Sequence, residues 1–257
     1  MNAPTISYIT PRTVPVISRG DDLAAVILET LNREGVVLQS GDVVAIAQKI
    51  VSKAEGCTVD LSTVTVSHEA MTLAKKTGKD ERLLEVIVRD TAKVLRAQRE
   101  VCIVEHRLGH VMANAGVDHS NVTAPGKGDD IVLLLPEDPD ASARGLRARF
   151  EEGGQAPIGV VITDSFGRPW RLGTTGVAIG IAGPAALIDR RGEKDMFGRT
   201  LEATEIGFSD GIAAAAVLAM GEGAESTPVV VIRGLTWADT SQKAADVLRP
   251  HDKDMFR

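Results

Sequence analysis

Two short loops of the sequence carry side chains that could hold a metal ion or a phosphate group. Asp118 and Asn121 stand three positions apart in a stretch of small residues, and Asp164 and Ser165 follow an apolar run. A carboxylate is a hard oxygen ligand for magnesium or manganese, and a nearby amide or hydroxyl can share the same ion or a nucleotide. Aspartate and asparagine are also common in turns, so from the first loop alone a plain turn is the favoured interpretation.

The second loop continues into two arginines, Arg168 and Arg171. A guanidinium group binds phosphate or carboxylate through paired hydrogen bonds. An apolar strand, predicted over residues 159–163 and ending abruptly at Asp164, is typical of phosphoryl-transfer sites, where metal ions bridge phosphate oxygens. The alternative is a β-turn with surface arginines. We favour a functional site because the strand, its acidic tip, Gly167 and both arginines occur together.

Two further stretches could contact a nucleotide. Lys49 and Lys53 are four residues apart and could face one anion, although neither a Walker A loop nor a Rossmann glycine fingerprint occurs in the chain. Residues 221–227 follow an alanine-rich run, and Gly221 is typical of a helix C-cap. A turn that wraps a nucleotide and offers Glu222 to a second ion is the alternative. From this stretch alone, the cap is favoured.

The elements that would position these loops alternate irregularly between helix and strand, which predicts a mixed α/β fold without a regular βαβ repeat. Short edge strands are predicted in the first 20 residues. Asp21 or Asp22, Ser67 and Asp80 are candidate helix N-caps. The helix after Asp80 is predicted to carry an apolar stripe from Leu83 to Leu95. Other helices are predicted at 144–152 and 209–220, and other strands at 43–47, 101–104, 131–135, 177–181 and 229–232.

Composition narrows the class of protein. The chain has 257 residues, 44% of them hydrophobic, and a formal net charge of -6. An acidic chain is unsuited to binding the nucleic-acid backbone, and no apolar run reaches the length of a membrane span. Cys57 and Cys102 form no disulfide or metal-site pattern, and the N-terminal residues have no secretory-signal pattern. We therefore expect a cytoplasmic protein with neither nucleic-acid nor membrane partners.

Taken in order, segments spread over nearly the whole chain resemble the coenzyme F420-0:L-glutamate ligase family. No single segment is specific, but their combination is. The matching segments are Gly20-Asp21-Asp22-Leu23, Ser52-Lys53-Ala54-Glu55-Gly56, Asn114-Ala115-Gly116-Val117-Asp118, Ser120-Asn121-Val122, Ile162-Thr163-Asp164, Gly176-Val177-Ala178-Ile179-Gly180, Asp195-Met196-Phe197-Gly198-Arg199 and Met220-Gly221-Glu222.

The resemblance implies a GTP-dependent ligase. Such an enzyme adds L-glutamate to the lactyl carboxylate of F420-0, then adds further γ-linked glutamate, through an acyl phosphate. It also implies two magnesium or manganese ions, with potassium assisting. Asp118 and Asp164 correspond to ligands of the first ion, and Ser165 and Glu222 to ligands of the second.

The resemblance further assigns a set of nucleotide contacts, which come from four parts of the chain. They are Val14, Pro15, Val16, Ile17, Gln48, Lys49, Lys53, Asn121, Gly221, Glu222, Gly223, Ala224, Glu225, Ser226 and Thr227. The catalytic residues are expected to be Asp118, Asp164 and Arg168. For Arg168, and for Arg171, binding of the F420-0 phosphate or the incoming glutamate is a hypothesis from charge and from proximity to Asp164.

The family fold implied by the resemblance is an intertwined, two-lobed mixed α/β arrangement that forms a homodimer. Residues 1–257 would then be one ligase domain without the C-terminal nitroreductase-like domain of some relatives. Two other functions fit the same residues. One is a metal-dependent nucleotide phosphohydrolase, and the other is a non-catalytic protein that binds GTP or F420.

Overall fold

A computed structural model describes residues 5–120, 122, 130–154 and 157–255. Its longer helices are α1 (Leu23–Arg33), α2 (Gln48–Glu55), α3 (His68–Thr77), α4 (Glu81–Arg89), α5 (Pro139–Glu151) and α6 (Phe208–Met220). Its strands are β1 (Ser7–Ile9), β2 (Val43–Ala47), β3 (Thr58–Asp60), β4 (Thr91–Gln98), β5 (Val101–His106), β6 (Val111–Ala113), β7 (Ile131–Leu133), β8 (Gly159–Arg168), β9 (Arg171–Ala182), β10 (Leu187–Asp189), β11 (Glu205–Gly207) and β12 (Val229–Arg233). Short 3-10 turns cover Leu61–Thr63, Asn114–Gly116, Ala244–Val247 and His251–Lys253.

A five-stranded sheet in the order β1-β12-β2-β8-β9 forms the centre of the molecule. Strands β2 and β8 are parallel, in a register that runs from Val43 opposite Gly159 to Ala47 opposite Thr163. The other three pairings in this sheet are antiparallel. The sequences of β2, β8 and β12 are rich in valine and isoleucine because these strands are buried on both faces.

Helices cover both faces of this sheet. One buried cluster joins α1 and α5 to residues such as Val160 and Ile162, and a second joins α6 to Val161 and Ala178. Two glycines of β9 allow the helices to approach closely. A Cβ atom at Gly176 would collide with the carbonyl oxygen of Ala213 in α6, and one at Gly180 with that of Pro139 in α5.

A second region is built on the three-stranded sheet β4-β5-β6, against which α3 and α4 pack. A two-stranded pairing of β3 with β7 accompanies it. This region leads the chain from β6 through the 3-10 turn Asn114–Gly116 to Asp118, which forms an isolated bridge with Leu133. It therefore carries one of the predicted site residues to the central sheet.

The mixed α/β class and most predicted elements are confirmed. Strand 43–47 has the predicted bounds, and β1 lies at the edge of the sheet as expected. The predicted cap is also present at α1, where the Asp22 carboxylate accepts a hydrogen bond from the amide of Ala25. Ser67 and Asp80 cap α3 and α4 in the same way. Across the described ranges, no helix is long and apolar enough to cross a membrane.

Several predicted boundaries are wrong. The helix predicted at 144–152 begins at Pro139, and the strand predicted at 177–181 begins at Arg171. The helix after Asp80 ends at Arg89, and Val94 and Leu95 belong to β4, whose backbone pairs with β5. Val94 and Leu95 therefore have the spacing of an apolar helical stripe although they lie in a strand. The strand at 159 does not stop at Asp164 but runs to Arg168, because it forms a long hairpin with β9. Asp164 thus projects from the middle of a strand, where its backbone is fixed on one side by Val177.

Candidate functional site

Three chain segments meet at one edge of the central sheet. The parallel strands β2 and β8 both direct their carboxyl ends toward this edge, and β12, being antiparallel to β2, begins there. The amide of Ala47 donates a hydrogen bond to the carbonyl of Pro228, at 2.8 Å. The start of α2, the residues after Thr163 and the turn 221–227 therefore lie together, which is where open α/β sheets usually bind ligands.

Asp118 is held at this edge by its backbone and by a cation. Its amide donates to the carbonyl of Leu133 at 3.0 Å. Its Oδ2 lies 2.6 Å from Nζ of Lys49. The amide of Ser120 donates to Oδ1 at 2.7 Å, and the Ser120 hydroxyl donates to Oδ2 at 3.0 Å. Burial acts to raise the pKa of Asp118, but these contacts outweigh it, so its pKa is lowered and the carboxylate stays charged.

The turn that leads to Asp118 has an unusual backbone. Asn114, Ala115 and Gly116 have φ angles of 53°, 52° and 68°. Left-handed conformations at two consecutive non-glycine residues are strained, and such strain is common next to functional sites. The Asn114 side chain supports the turn, since its Oδ1 accepts a hydrogen bond from the amide of Cys102 at 3.4 Å.

Asp164 is partly buried and faces charges of both signs. Burial raises its pKa to about 6, and the carboxylates of Asp118 and Glu222 act in the same direction. The amide of Ser165, which donates to Oδ1 at 2.8 Å, and the Lys49 ammonium oppose this rise only in part. Asp164 is therefore poorly compensated as an anion, and a bound cation would stabilise its charged form.

Glu222 reaches the site from the end of α6. Gly221 is the C-cap of that helix, as favoured by the sequence, with a φ of 75° and an amide that donates to the carbonyl of Val217. The Thr174 hydroxyl donates to Oε2 of Glu222 at 2.7 Å. Within the same turn, the Thr227 hydroxyl donates to the carbonyl of Met220 at 2.6 Å. The turn 221–227 therefore both caps α6 and forms an ordered loop that carries Glu222.

The remaining residues of the turn 221–227 bond to one another. Oε2 of Glu225 accepts a hydrogen bond from the amide of Gly223 at 2.7 Å, and the Ser226 hydroxyl lies 3.4 Å from the carbonyl of Ala224. These internal contacts give the turn a defined shape.

Ser165 projects to the other face of the sheet from Asp164, because successive side chains on a strand alternate. Thr163, two residues before Ser165, contacts Met220 at the end of α6. Ser165 therefore shares the α6 side with the segment that carries Glu222, whereas Asp164 shares a side with Asp118.

Of the predicted nucleotide contacts on α2, Lys49 and Lys53 are partly exposed and Gln48 is buried. Lys53 lies one turn after Lys49, and burial and then the charge of Lys49 lower its pKa. Gln48 is 3% exposed, and its amide donates to the Ser52 hydroxyl and to the carbonyl of Leu134. It fixes the start of α2 from within.

The predicted contact segment 14–17 approaches the far end of α2. Val16 is 85% exposed and Ile17 is buried in the core. Three residues after Ile17, the amide of Gly20 donates to the carbonyl of Ala54 at 2.8 Å. The segment therefore comes closer to the Lys53 end of α2 than to the Lys49 end.

One predicted site residue, Arg168, is not brought into contact with Asp164. Arg168 lies at the tip of the β8–β9 hairpin, where its guanidinium group is 3.4 Å from the carbonyl of Gly173. Four residues of extended strand separate it from Asp164, roughly 13 Å along the backbone. Asn121 lies outside the described residues.

The oxygen ligands fit a hard divalent cation in type but are not gathered into a finished site. Among the described residues, no group of three or more histidine, cysteine, aspartate or glutamate side chains is arranged to hold a metal. Asp118 is paired with Lys49, and Glu222 with Thr174. A phosphate group that drew Lys49 away from Asp118 would free the Asp118 carboxylate oxygens to bind a cation. The same cation would stabilise the charged form of Asp164, whose pKa is raised by burial.

Ser120 and Thr174 hold the site carboxylates, and their roles were not predicted from the sequence. Ser120 accepts or donates three of the hydrogen bonds around Asp118 and Lys49, and Thr174 orients Glu222. Ser120 stood two residues after Asp118, which was a usable local indication. Thr174 is far from Glu222 in the sequence, so only the pairing of β9 with β8 could have revealed it.

The chain is similar to known proteins over nearly its whole length. The F420-0:gamma-glutamyl ligase family model matches residues 12–234. Three relatives, each named coenzyme F420:L-glutamate ligase, come from methanogens. The Methanothermobacter thermautotrophicus protein is 41% identical over 98% of this chain and 99% of its own. Those from Methanopyrus kandleri and Methanocaldococcus jannaschii are 46% and 42% identical, over 93% and 86% of this chain and 92% and 86% of their own. The chain belongs to the F420-0:gamma-glutamyl ligase family.

Proposed function

We propose that this protein is a GTP-dependent ligase that joins L-glutamate to coenzyme F420-0 and then adds further γ-linked glutamate. One observation carries the proposal. Asp164 is held at the meeting point of three segments, where the charges of Lys49, Asp118 and Glu222 all act on it. Such a cluster suits a reaction in which a nucleotide and a carboxylate, both anionic, must approach each other. Membership of the family supplies the identity of the substrates.

GTP is proposed to bind across α2 and the turn 221–227. Lys49 and Lys53 offer two cations on one helix, and the N-cap of that helix, Ala47, has no side-chain hydrogen bond to the first-turn amides. Those amides can bind phosphate oxygens instead. Asn121 and the segment 14–17 are proposed to complete the nucleotide site.

Two magnesium or manganese ions are proposed to bind at the carboxylates, with potassium assisting. Asp118 and Asp164 would hold one ion, and Ser165 and Glu222 the other. These ions would neutralise phosphate charge and bring the two anionic reactants together. The protein itself holds the carboxylates in place through Ser120 and Thr174, and it positions Lys49 so that its ammonium can move from Asp118 to a phosphate oxygen.

The proposed chemistry has two balanced steps. A carboxylate oxygen of F420-0 attacks the γ-phosphorus of GTP, the bond to the β-phosphate oxygen breaks, and GDP leaves with an acyl phosphate formed. The glutamate amine, having lost a proton, then attacks the acyl carbon. The carbon–oxygen bond to phosphate breaks, so that an amide and free phosphate are released. The proton that the glutamate amine releases passes to the solvent.

A homodimer is part of the proposal. Several large apolar side chains of the described structure are almost fully exposed, among them Leu172 at 99%, Met196 at 88% and Phe197 at 85%. They lie at the β8–β9 hairpin tip and on the arm between β10 and β11. Exposed apolar groups of this kind are typical of surfaces that pack against another chain.

The direct test is to incubate the protein with F420-0, glutamate, GTP and manganese and to analyse the products by mass spectrometry. We expect F420-0 to gain one or more glutamyl units, with one GDP formed for each. Phosphate release from GTP that needs neither F420-0 nor glutamate would instead identify a phosphohydrolase. Binding of GTP or F420-0 without any product would identify a non-catalytic binding protein.

A further inference from the structure

A groove of about 500 Å³ runs along the β8–β9 hairpin and past the first turns of α6. Phe166 and Val111 line it on one side, and Asp210 and Gly211 on the other. Arg168 also lines it, so the hairpin-tip arginine that does not contact Asp164 faces this space instead. The groove therefore combines apolar walls with one cation and one carboxylate.

The groove adjoins the catalytic edge of the sheet. Val177, which lines it, is paired directly with Asp164, and paired residues on neighbouring strands project to the same face. Phe166 is two residues beyond Asp164 on β8 and shares that face as well, roughly 7 Å along the strand. The part of the groove formed by Phe166 and Val177 therefore lies on the same face of the sheet as Asp164.

The walls of the groove are fixed by buried groups. The Phe166 ring meets His110 edge-on, with the ring centroids 6.0 Å apart, and His110 is 3% exposed. Oδ1 of Asp210 accepts a hydrogen bond from the amide of Ala178 at 3.0 Å, which ties α6 to the free edge of β9. Phe166 and Asp210 are thus each held in place by a contact with the surrounding fold, whereas Val111 and Arg168 are exposed.

Size and charge decide between the three substrates of the proposed reaction. Pockets of 300–1,000 Å³ suit ligands much larger than a single amino acid. The nucleotide has its own cations on α2, at the other segment of the site. A large organic anion with an apolar ring system fits both the Arg168 guanidinium and the Phe166 and Val111 walls.

We infer that this groove binds the F420-0 acceptor, with its reacting carboxylate toward Asp164 and the rest of the molecule extending past Phe166 to Arg168. The inference rests on the proposed function. It makes Phe166 and Gly211 specificity-determining residues for the acceptor, and neither belongs to the nucleotide site.

Gly211 offers a sharp test because it leaves the groove wall without a side chain. A Cβ atom at this helical position would meet nothing within 4 Å. Gly211→Leu should fill the groove without a clash, and leucine favours a helix more than glycine does, so the fold should not suffer. Gly145→Leu is the matched control, since Gly145 is also helical and exposed with nothing within 4 Å, but lies on α5.

The measurements are calorimetric titration of the whole protein with F420-0 alone and steady-state kinetics. We expect G211L to weaken F420-0 binding, and to raise its KM, by about tenfold or more, while the KM for GTP stays within about twofold. Phe166→Ala should shift the same two constants in the same direction. Arg168→Ala should weaken F420-0 binding, and Arg168→Lys should restore part of it. The control G145L should behave as wild type.

The outcomes separate the groove from the reaction. If wild type ligates glutamate but G211L and F166A keep wild-type constants for F420-0, the groove assignment is overturned and the proposed function survives. If wild type binds F420-0 in a way that G211L abolishes, yet forms no glutamyl product, the groove stands and the proposed function fails. Absence of F420-0 binding by wild type would also overturn the groove assignment.

Discussion

Asp164 and the pair His106 and His110 are both removed from water, but in opposite settings. Asp164 lies at an open edge of the central sheet among other charges, and burial raises its pKa to about 6. The two histidines lie in the second region, 0% and 3% exposed, and burial lowers the pKa of each to about 4. Each group is pushed toward its neutral form, yet only the aspartate is placed where a ligand could supply the missing charge.

The histidines are held by the fold alone. Nδ1 of His106 accepts a hydrogen bond from the amide of Leu108 at 2.9 Å, and its buried Nε2 has no hydrogen-bond partner among the described residues. The His110 ring packs edge-on against the ring of Phe166. Burial of the charged Asp164 lowers the stability of the folded protein, and a bound cation at the site would offset that loss. Burial of the histidines makes the folded protein less stable at low pH, and they are not among the residues proposed to bind a cation.

The largest expected effect comes from Asp164→Asn. This change should lower ligase turnover by roughly 10³-fold, because a ligand for the proposed ion is lost. It should also raise the free energy of unfolding of the ligand-free protein at pH 8 by on the order of 2 kcal/mol, since a poorly compensated buried charge disappears. Urea unfolding and the mass-spectrometric assay measure the two effects.

Glu29→Gln is the control for that change, because Glu29 is exposed on α1 and paired only with Arg33. It should alter neither quantity. If Asp164→Asn destabilised the ligand-free protein instead, the contrast between the site and the histidine pair would be lost.

The second effect concerns the pH dependence of stability. The folded-state pKa values of His106 and His110, about 4, lie below the ordinary value of 6.5. Between these values the unfolded chain binds protons that the folded protein does not, so stability falls as pH drops from 6.5 toward 4. The loss should reach roughly 3 kcal/mol for each histidine, and Asp164 should offset part of it by taking up a proton in the folded state.

His106→Gln should flatten this loss, as measured by urea unfolding at pH 7.5, 6 and 4.5. The glutamine cannot be protonated, although it fills the site less well and can lower stability at every pH. His68→Gln, at the exposed start of α3, is the matched control and should keep the wild-type pH dependence. If the free energy of unfolding of H106Q fell with decreasing pH as steeply as that of wild type, burial of His106 would not be the cause of the loss.

The smallest expected effect comes from Lys49→Met. Loss of the ammonium group should raise the KM for GTP by about tenfold, in line with one lost charged hydrogen bond. It should also raise the pKa of Asp164 further, because Lys49 is one of the groups that lower it. An NMR titration of the Asp164 carboxyl and steady-state kinetics would measure these shifts. Lys75→Met, on the last turn of α3, is the control, and an equal change there would point to a general charge effect.

The sequence predicted much of the central sheet because β2, β8 and β12 are buried on both faces and read as continuous apolar runs. Polar groups at strand ends and beside glycine predicted Asp118 and Asp164 as site residues, and the resemblance to the family added Glu222. It could not reveal that Asp164 sits within a hairpin, since pairing of β9 with β8 is a tertiary property. The same is true of β4, where Val94 and Leu95 kept helical spacing while their backbone joined a sheet.

The groove and the Thr174 contact lay beyond the sequence for a related reason. Phe166, Val111 and Asp210 come from three separate elements, and no spacing links them. The left-handed turn at Asn114 and Ala115 was also unpredicted, because neither residue type demands that backbone. Local patterns therefore indicated candidate site residues, but they did not indicate which residues from other elements would contact them.

The pairing of β1 with β12 has a consequence for how the chain matures. Residues 7–9 bond to residues 231–233, so one of the first strands to leave the ribosome must wait for one of the last. The nucleotide-side strand β2 also lies unpartnered until β8 and β12 have been made. Contacts so distant along the chain form slowly. The catalytic edge should therefore be among the last parts of a nascent molecule to assemble, and a chain cut before β12 would lack it altogether.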